Sequence, residues 1–495
     1  MKFEFPVASP ASVGIPAAAI ERFMTRLENK RLPMHSVLML RHGTLLFESY
    51  RRPFDRDRKH RLYSTSKSFV SVAIGILAGD GLLSLDDPVT KFFPDKVPAD
   101  LHPYTAAATI RDLLRMATPH YYGACTYSPK APDWADTYFQ AKPTHLPGKI
   151  FSYDTTATTM LSIIVARVSG KEFTDFLRDR LFIPAGMSED ITCIRTPCGH
   201  EWGGSGVLAT PRDLMKFAYT CMNGGRINGQ QLIPEDYIRA ATSRQIDNTL
   251  TAGDAEHSFG YGYQFWRTRH NGFACRGMGS QLAVCLPDQD FILVTTGDTQ
   301  SYPAACGIIY EALWREIYPY LTSDAPVEDD EAANEALKAK WDGREILCIA
   351  GEPSSPKEAE INGRTFVFTE ANQPGFKKAR FTFGDGEGTI EYENATGAHT
   401  LRFGFGHQVR QRFPETHYFG KRIGTPSGEG YDCVVSAAWV SEDTLYIQCF
   451  SIDDHIGTCK MSFAFNDGCC TLFFGKNAEW FFDEYQGFGT GRAAD

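Results

Sequence analysis

The sequence predicts an α/β (α+β) protein: an antiparallel sheet flanked by helices plus a helical region, with an appended all-β domain at the C-terminal end. Two observations predict the first part. Residues 35–50 and 282–297 each contain two apolar runs around a turn, and helical periodicity fills most of the chain between them. A third observation predicts the second part, because short strand-like runs separated by Gly, Asp and Asn dominate from about residue 346.

The two hairpin patterns stand at opposite ends of the first part. In residues 35–50 (HSVLMLRHGTLLFESY) the turn is His42-Gly43. Strands at both ends with helices between them favour one sheet that is closed by segments distant in sequence. The intervening helical pattern is clearest in four segments, residues 68–78, 109–116, 158–168 and 211–222.

The composition of the chain changes after Tyr320. Residues 321–345 are acidic and polar, which is typical of a linker or an exposed helix. We therefore predict a domain over residues 1–320, a linker over 321–345, and an all-β small barrel or sandwich over 346–495. A chain of 495 residues is also too long for one ordinary core.

Composition excludes several classes of partner. The formal net charge is -10 and no block of Lys and Arg occurs, so we expect no nucleic-acid partner. We find neither an 18-residue apolar run nor a signal-peptide pattern, and so expect no membrane partner. The 13 cysteines are scattered and odd in number, which favours reduced thiols and a cytoplasmic location. A small-molecule substrate is expected; the oligomeric state is not determined.

The segment YSTSKSFV, residues 63–70, places Ser64 and Lys67 at the start of an apolar helical run. A spacing of three residues puts both side chains on one face of a helix. A serine hydroxyl is a poor nucleophile until a base takes its proton, and a lysine acts as that base only when its pKa lies well below about 10.4. Burial and the positive potential of a helix N-terminus both favour the neutral amine. The segment therefore predicts a serine nucleophile with a lysine base.

The same spacing has an ordinary structural explanation. A serine can simply cap a helix while a lysine extends along its surface. The pattern also recurs as Ser354-Ser355-Pro356-Lys357, in a Pro-containing connector where catalysis is not expected. Further motifs are needed to choose between the two interpretations.

Two further motifs follow in order along the chain. Residues 147–155 contain Pro-Gly-Lys-Ile-Phe-Ser-Tyr-Asp-Thr, and residues 275–281 read Cys-Arg-Gly-Met-Gly-Ser-Gln directly before a strand. With these motifs the chain resembles the serine β-lactamase / penicillin-binding-protein-like hydrolases over about residues 10–315. Within them it resembles family VIII-type carboxylesterases and 6-aminohexanoate-dimer-hydrolase-like enzymes. Supporting matches are found in three further segments, residues 81–88, 203–214 and 260–263.

The resemblance implies a β-lactamase-like fold and specific roles for the motif residues. Ser64 would be the acylated nucleophile, with Lys67 and Tyr153 handling its proton. The oxyanion would be held by the backbone N–H of Ser64 and that of Met278. The implied reaction is hydrolysis of a small ester or amide through an acyl-serine intermediate, without a cofactor or a metal.

The sequence departs from the pattern of β-lactam-recognising members at two positions. Thr155 stands where those members carry asparagine, and Cys275 or Arg276 stands where they carry a lysine that matters for the β-lactam carboxylate. Weak or no β-lactamase activity is therefore expected. Arg276 could instead bind a substrate carboxylate or pair with a surface acid.

An aromatic, irregular segment over residues 120–145 precedes Tyr153. It could wall the acyl pocket through Tyr122, Tyr127 and Trp134, or form a packed surface loop; we favour the wall.

Other chemistry is less well supported by the sequence. Cys193, Cys198 and His200 have loosely metal-like spacing without an obvious fourth ligand, and no Gly-x-Ser-x-Gly elbow occurs. A carboxylesterase is the first choice. A cytosolic amidase or D-amino-acid peptidase is the alternative, and a catalytically silent binding protein is the rival from another class.

Overall fold

The computed structural model describes residues 3–121, 133–251, 255–369, 372–415, 431–478 and 486–494. The chain forms two compact units. The first comprises Met1–Tyr50 and Phe54–Gly343, and the second comprises Arg51–Pro53 and Arg344–Asp495. The first unit combines an antiparallel sheet with helices and the second is built almost entirely of strands, which confirms the predicted fold class.

The strands among the described residues of the first unit lie in one large sheet and two small ones. They are β1 (Met34–Arg41), β2 (Thr44–Tyr50), β3 (His60–Arg61), β4 (Thr192–Cys193), β5 (Val207–Ala209), β6 (Arg226–Ile227), β7 (Gln230–Gln231), β8 (Trp266–Arg267), β9 (Phe273–Gly277), β10 (Gln281–Leu286) and β11 (Phe291–Gly297).

The large sheet has the order β2-β1-β11-β10-β9-β8 and is antiparallel throughout. Both predicted hairpins are present, as β1–β2 and β10–β11. They join where β1 pairs with β11, for example Leu38 opposite Val294. Every residue of β1 and of β11 is buried, because both faces of the sheet are covered. The sheet is therefore closed by segments that lie far apart in the sequence, as predicted.

Helices cover this sheet and form the helical region. They are α1 (Ala17–Asn29), α2 (Ser66–Gly79), α3 (Pro103–Ala106), α4 (Ile110–Leu114), α5 (Trp134–Gln140), α6 (Thr155–Ser169), α7 (Phe173–Leu177), α8 (Pro211–Met222), α9 (Glu235–Ala241), α10 (Ala305–Ala312) and α11 (Glu331–Trp341).

Helix α2 lies at the centre of the first unit. It is buried on all sides from Ser66 to Leu77, as its apolar sequence requires. It packs against α6, and the ring of Phe69 stacks on Phe217 of α8 with centroids 3.8 Å apart. A helix fixed in this way is a rigid support for side chains at its N-terminus.

Helix α11 falls within the segment predicted as a linker. Its Leu337 and Trp341 are buried in the core of the first unit, and the Trp341 indole N–H donates to Glu21. The first unit therefore ends at Gly343, whereas the sequence predicted that the first domain ends at residue 320. Leu337 and Trp341, four residues apart, place one face of α11 in the core. The acidic residues around them dominate the composition of the segment, so the sequence interpretation did not recognise this buried face.

The second unit contains a short helix, α12 (Lys357–Ile361), and ten strands among its described residues. The strands are β12 (Thr365–Phe368), β13 (Lys378–Gly384), β14 (Glu387–Asn394), β15 (Gly397–Phe405), β16 (Val409–Arg412), β17 (Asp432–Ser441), β18 (Thr444–Ile452), β19 (Ile456–Asn466), β20 (Cys469–Asn477) and β21 (Gly487–Ala493).

These ten strands form a barrel-like sheet in the order β15-β14-β13-β12-β21-β20-β19-β18-β17-β16. A parallel pairing of β15 with β17 closes it, with Gly404 opposite Ser436. Its buried face is rich in aromatic side chains, including Phe381, Phe463 and Trp439. Across the described parts of both units, we find no helix that is long and apolar enough to cross a lipid bilayer.

Candidate functional site

Ser64 lies in a 3-10 turn, Tyr63–Thr65, that leads directly into α2. The turn is strained, because Tyr63 has a φ of 48°, which bulky residues rarely adopt. The conformation is held by the buried Tyr63 ring, over which the Arg61 guanidinium lies 4.3 Å from the centroid. Ser64 itself is half-buried. Its position in the first turn leaves its N–H outside the helical hydrogen bonds.

Lys67 is one turn further along and is 1% exposed. Its Nζ lies 3.2 Å from the Ser64 Oγ and 3.2 Å from the Thr155 Oγ1. The Nζ also lies 2.6 Å from the backbone carbonyl oxygen of Gly204. The amine is thus aimed at the serine hydroxyl by one contact from α6 and one from the segment before β5.

Tyr153 lies beside this pair. The Lys67 Nζ is 5.1 Å from the centroid of its ring. The ring stacks on Trp266 with centroids 5.6 Å apart and an interplanar angle of 25°, and Tyr261 contacts it edge-on. Trp266 and Tyr261 are buried, so they hold the Tyr153 ring in place. The structure therefore brings together the three residues predicted to be catalytic.

Asp154 is a buried carboxylate next to Tyr153 whose importance the sequence interpretation missed. It caps α6 by accepting hydrogen bonds from the backbone N–H of Thr156 (2.9 Å) and Ala157 (3.4 Å). Burial raises the pKa of Asp154, while a hydrogen bond from Thr118 and the charge of Lys67 act in the opposite direction. An Asp directly before a helical run is a recognisable cap signal, but its proximity to Lys67 is a tertiary feature.

Strand β9 passes very close to the Ser64 turn. A Cβ on Gly277 would lie 2.2 Å from the Leu62 carbonyl oxygen and 3.2 Å from the Thr65 nitrogen, so only glycine fits without displacing the backbone. Met278, the predicted second oxyanion donor, comes next and is 40% exposed. The turn continues through Gly279 and Ser280, which have φ angles of 77° and 68°.

The predicted substrate-binding residues have different environments. Thr155 contacts Lys67 as described. The Arg276 guanidinium lies 5.5 Å from the centroid of the Trp266 ring, which also stacks on Tyr153. Trp134 is fully buried at the start of α5 and packs edge-on against Trp202, so it presents no surface to solvent. Tyr122 and Tyr127 lie outside the described residues.

Glu201, three residues before Gly204, is a second buried carboxylate that the sequence interpretation missed. It accepts a hydrogen bond from the Thr174 backbone N–H (2.9 Å) and another from the Thr174 hydroxyl. Burial raises the pKa of Glu201 to about 7, and neighbouring Glu172 adds to this shift. Glu201 therefore titrates near neutral pH within the segment that supplies the Lys67 contact.

The three residues with loosely metal-like spacing, Cys193, Cys198 and His200, do not form a set of metal ligands. His200 hydrogen-bonds to Glu172 at 3.1 Å, and burial raises the pKa of the Cys193 thiol well above its usual range. In the described ranges, no group of three or more His, Cys, Asp or Glu side chains is arranged to hold a metal ion.

Comparisons with known proteins bear on the family and the fold of the chain. The family profile described as Beta-lactamase matches residues 17–305, more than half of the chain. The 6-aminohexanoate-dimer hydrolase of Paenarthrobacter ureafaciens is 26% identical over 294 residues, covering 54% of this chain and 74% of that protein. The solved structure of EstCE1, a hydrolase with promiscuous acyltransferase activity, has a TM-score of 0.50 and 16% identity, covering 60% of this chain and 98% of EstCE1.

A third likeness extends further along the chain. The structure of SurE with D-Leu has a TM-score of 0.50 and 15% identity, and it covers 86% of this chain and 96% of that chain. At such identities, the two structural likenesses concern the fold alone.

Proposed function

The chain belongs to the β-lactamase family of serine hydrolases, and we propose that it hydrolyses a small ester or amide through an acyl-enzyme on Ser64. The resemblance inferred from the three motifs is thereby confirmed at the level of the family. The observation that carries the proposal is the distance of 3.2 Å between the Nζ of the buried Lys67 and the Oγ of the half-buried Ser64. A serine hydroxyl within hydrogen-bond reach of a buried amine is one of the arrangements in which a base can activate a nucleophile.

The proposed reaction begins with neutral Lys67 accepting the Ser64 proton as the oxygen attacks the substrate carbonyl carbon. The new C–O bond moves the carbonyl electrons onto oxygen, where the N–H groups of Ser64 and Met278 donate hydrogen bonds to the oxyanion. Collapse of this intermediate breaks the bond to the leaving group, which takes a proton relayed by Lys67 and Tyr153. Water then attacks the acyl-serine carbonyl, with the same groups taking its proton and returning one to the Ser64 oxygen.

We assign ester hydrolysis as the first choice and amide hydrolysis as the second. The resemblance of the three sequence motifs to those of family VIII-type carboxylesterases supports the ester. The amide alternative is favoured by the relative named as a 6-aminohexanoate-dimer hydrolase. Ester and amide hydrolysis use the same nucleophile and differ in the leaving group, which is an alcohol for an ester and an amine for an amide.

Efficient β-lactam hydrolysis is not part of the proposal. Cys275 is fully buried in β9 and cannot meet a substrate carboxylate. Arg276 is half-buried with its guanidinium over Trp266, and is the cationic candidate at this position. Thr155, in contact with Lys67, lacks the amide that asparagine would offer.

A cytoplasmic location is also part of the proposal. No disulfide joins any of the 12 described cysteines, and most of them are buried. Reduced cysteines in this number suit a reducing compartment.

The test is a substrate panel combined with active-site labelling. Short p-nitrophenyl esters, D-aminoacyl amides and nitrocefin would be compared, and the purified chain would be treated with a fluorophosphonate. We expect turnover of the esters, slow or no turnover of nitrocefin, and labelling confined to Ser64. A folded chain that neither labels nor turns over any ester or amide would instead be the catalytically silent binding protein.

A further inference from the structure

Gln281, the first residue of β10, is fully buried and all its amide hydrogen-bonding groups have partners. Its Nε2 donates to the Met278 carbonyl oxygen at 3.0 Å and to the Gly297 carbonyl oxygen at 2.7 Å. Its Oε1 accepts from the Gly297 backbone N–H at 3.2 Å. One side chain thus joins the β9–β10 turn to the end of β11.

The backbone of Gln281 reaches the other side of the site. The Thr65 hydroxyl, in the residue after Ser64, donates to the Gln281 carbonyl oxygen at 3.0 Å. Both groups are buried, so water does not compete for this bond. Gln281 is therefore bonded to the Ser64 turn through its main chain and to the Met278 turn through its side chain.

The β9–β10 turn needs such a support. Two successive residues, Gly279 and Ser280, are in the left-handed region, and for Ser280 this conformation is costly. The Ser280 hydroxyl bonds to that of Thr299 at 2.7 Å, which anchors the far side of the turn. On the near side, the Gln281 side-chain amide donates to the Met278 carbonyl oxygen and so fixes the peptide group between Met278 and Gly279.

We propose that Gln281 is a positioning residue that sets the distance between the two oxyanion donors, the N–H of Ser64 and the N–H of Met278. This inference rests on the proposed function. An oxyanion hole works when both donors lie about 2.7–3.1 Å from the developing charge, and small displacements are costly. Gln281 touches neither substrate nor the reacting atoms; it acts through the two turns it joins.

The test compares Gln281→Met with a matched control, Gln264→Met. Gln264 is also buried; its Nε2 donates to the carbonyl oxygens of Leu113 and Leu114, and its Oε1 accepts from Thr158. Both variants lose the same kinds of hydrogen bond and should be destabilised to a similar extent. The control leaves the β9–β10 turn untouched.

The readout is the ratio of kcat/KM for an oxoester to that for the matching thionoester. Sulfur is a larger and weaker acceptor than oxygen, so an intact oxyanion hole favours the oxoester. In Gln281→Met we expect kcat for the oxoester to fall about ten- to a hundredfold, KM to change less, and the ratio to fall with kcat. Gln264→Met should keep the wild-type ratio.

An unchanged ratio in folded Gln281→Met would overturn the inference and leave Gln281 a purely structural residue. Should that variant fail to fold, Thr65→Val removes only the hydrogen bond to the Gln281 carbonyl oxygen. Its ratio must also fall, and a wild-type ratio there would equally overturn the inference. Absence of fluorophosphonate labelling in the wild-type chain would instead be a failure of the proposed function, so the two failures are distinguishable.

Discussion

The Lys67 Nζ lies 3.2 Å from the Ser64 Oγ and 2.6 Å from the carbonyl oxygen of Gly204. The first contact joins residues three apart on one helical turn, whereas the second spans 137 residues of chain. The carbonyl and the Thr155 hydroxyl hold the amine in a single orientation, toward the serine. The pair is therefore preorganised before any substrate arrives.

Ser64→Ala is expected to abolish fluorophosphonate labelling and to lower kcat by at least about 10³-fold, because the nucleophile is lost. The fold should survive, since Ser64 is half-buried and its hydroxyl contacts Lys67. Labelling followed by intact mass spectrometry checks this. Ser354 is the exposed serine of the second copy of the same spacing, and Ser354→Ala should behave as wild type. Persistent labelling of Ser64→Ala would refute the nucleophile assignment.

Lys67→Arg should lower kcat by about 10²–10⁴-fold, because a guanidinium cannot release its proton at working pH and so cannot act as the base. Steady-state kinetics across pH measure the effect. Lys216→Arg is the matched control: Lys216 is also a buried lysine, 2.6 Å from a backbone carbonyl oxygen, that of Gly186. The Lys216→Arg variant should be less stable than the wild type but should keep the wild-type kcat per folded molecule. Near-normal kcat in Lys67→Arg would contradict the proposed mechanism.

Gly277→Ala should reduce kcat/KM by about a hundredfold, since the added Cβ would lie 2.2 Å from the Leu62 carbonyl oxygen and must push β9 away from the Ser64 turn. Activity assays and a melting curve separate this from unfolding. Gly307→Ala is the control. Gly307 lies in α10 with open space around its Cβ position, so alanine there should raise stability by up to about 1 kcal/mol. Equal activity in both variants would show that the close approach is unimportant.

Glu201→Gln should change how stability depends on pH. Burial raises the pKa of Glu201 from 4.5 to about 7, so the folded state holds this proton more tightly than the unfolded state. The associated stability is fully present below pH 4.5 and is lost as pH rises to about 7. The loss should amount to about 3 kcal/mol. Urea unfolding at several pH values would show it in the wild type.

The glutamine variant at this position should lack that pH-dependent loss, because an amide does not titrate. The difference in unfolding free energy between wild type and Glu201→Gln is therefore the quantity to plot against pH. A difference that is constant from pH 4.5 to about 7 would show that Glu201 titrates with an ordinary pKa.

Much of the first unit follows from local pattern. The alternation in residues 35–50 and 282–297 predicts two hairpins, and both exist as β1–β2 and β10–β11. The segment 321–345 behaves differently, because two apolar residues of α11, Leu337 and Trp341, are buried within an acidic stretch. Most residues of such a helix face solvent, so the average composition of the segment reflects the exposed face. The few buried residues hardly change that average.

The sequence by itself determined the family, the fold class and the grouping of Ser64 with Lys67, because these depend on short motifs and on periodicity. Only the tertiary structure decided which groups surround them. Asp154, Gly204 and Gln281 lie inside the matched segments and Trp266 lies outside them, but the sequence does not indicate which groups any of the four contacts. They reach the site because α6, the segment before β5, and strands β8 to β10 pack around the N-terminus of α2. Such long-range contacts are set by the packing of whole elements, and no local spacing encodes them.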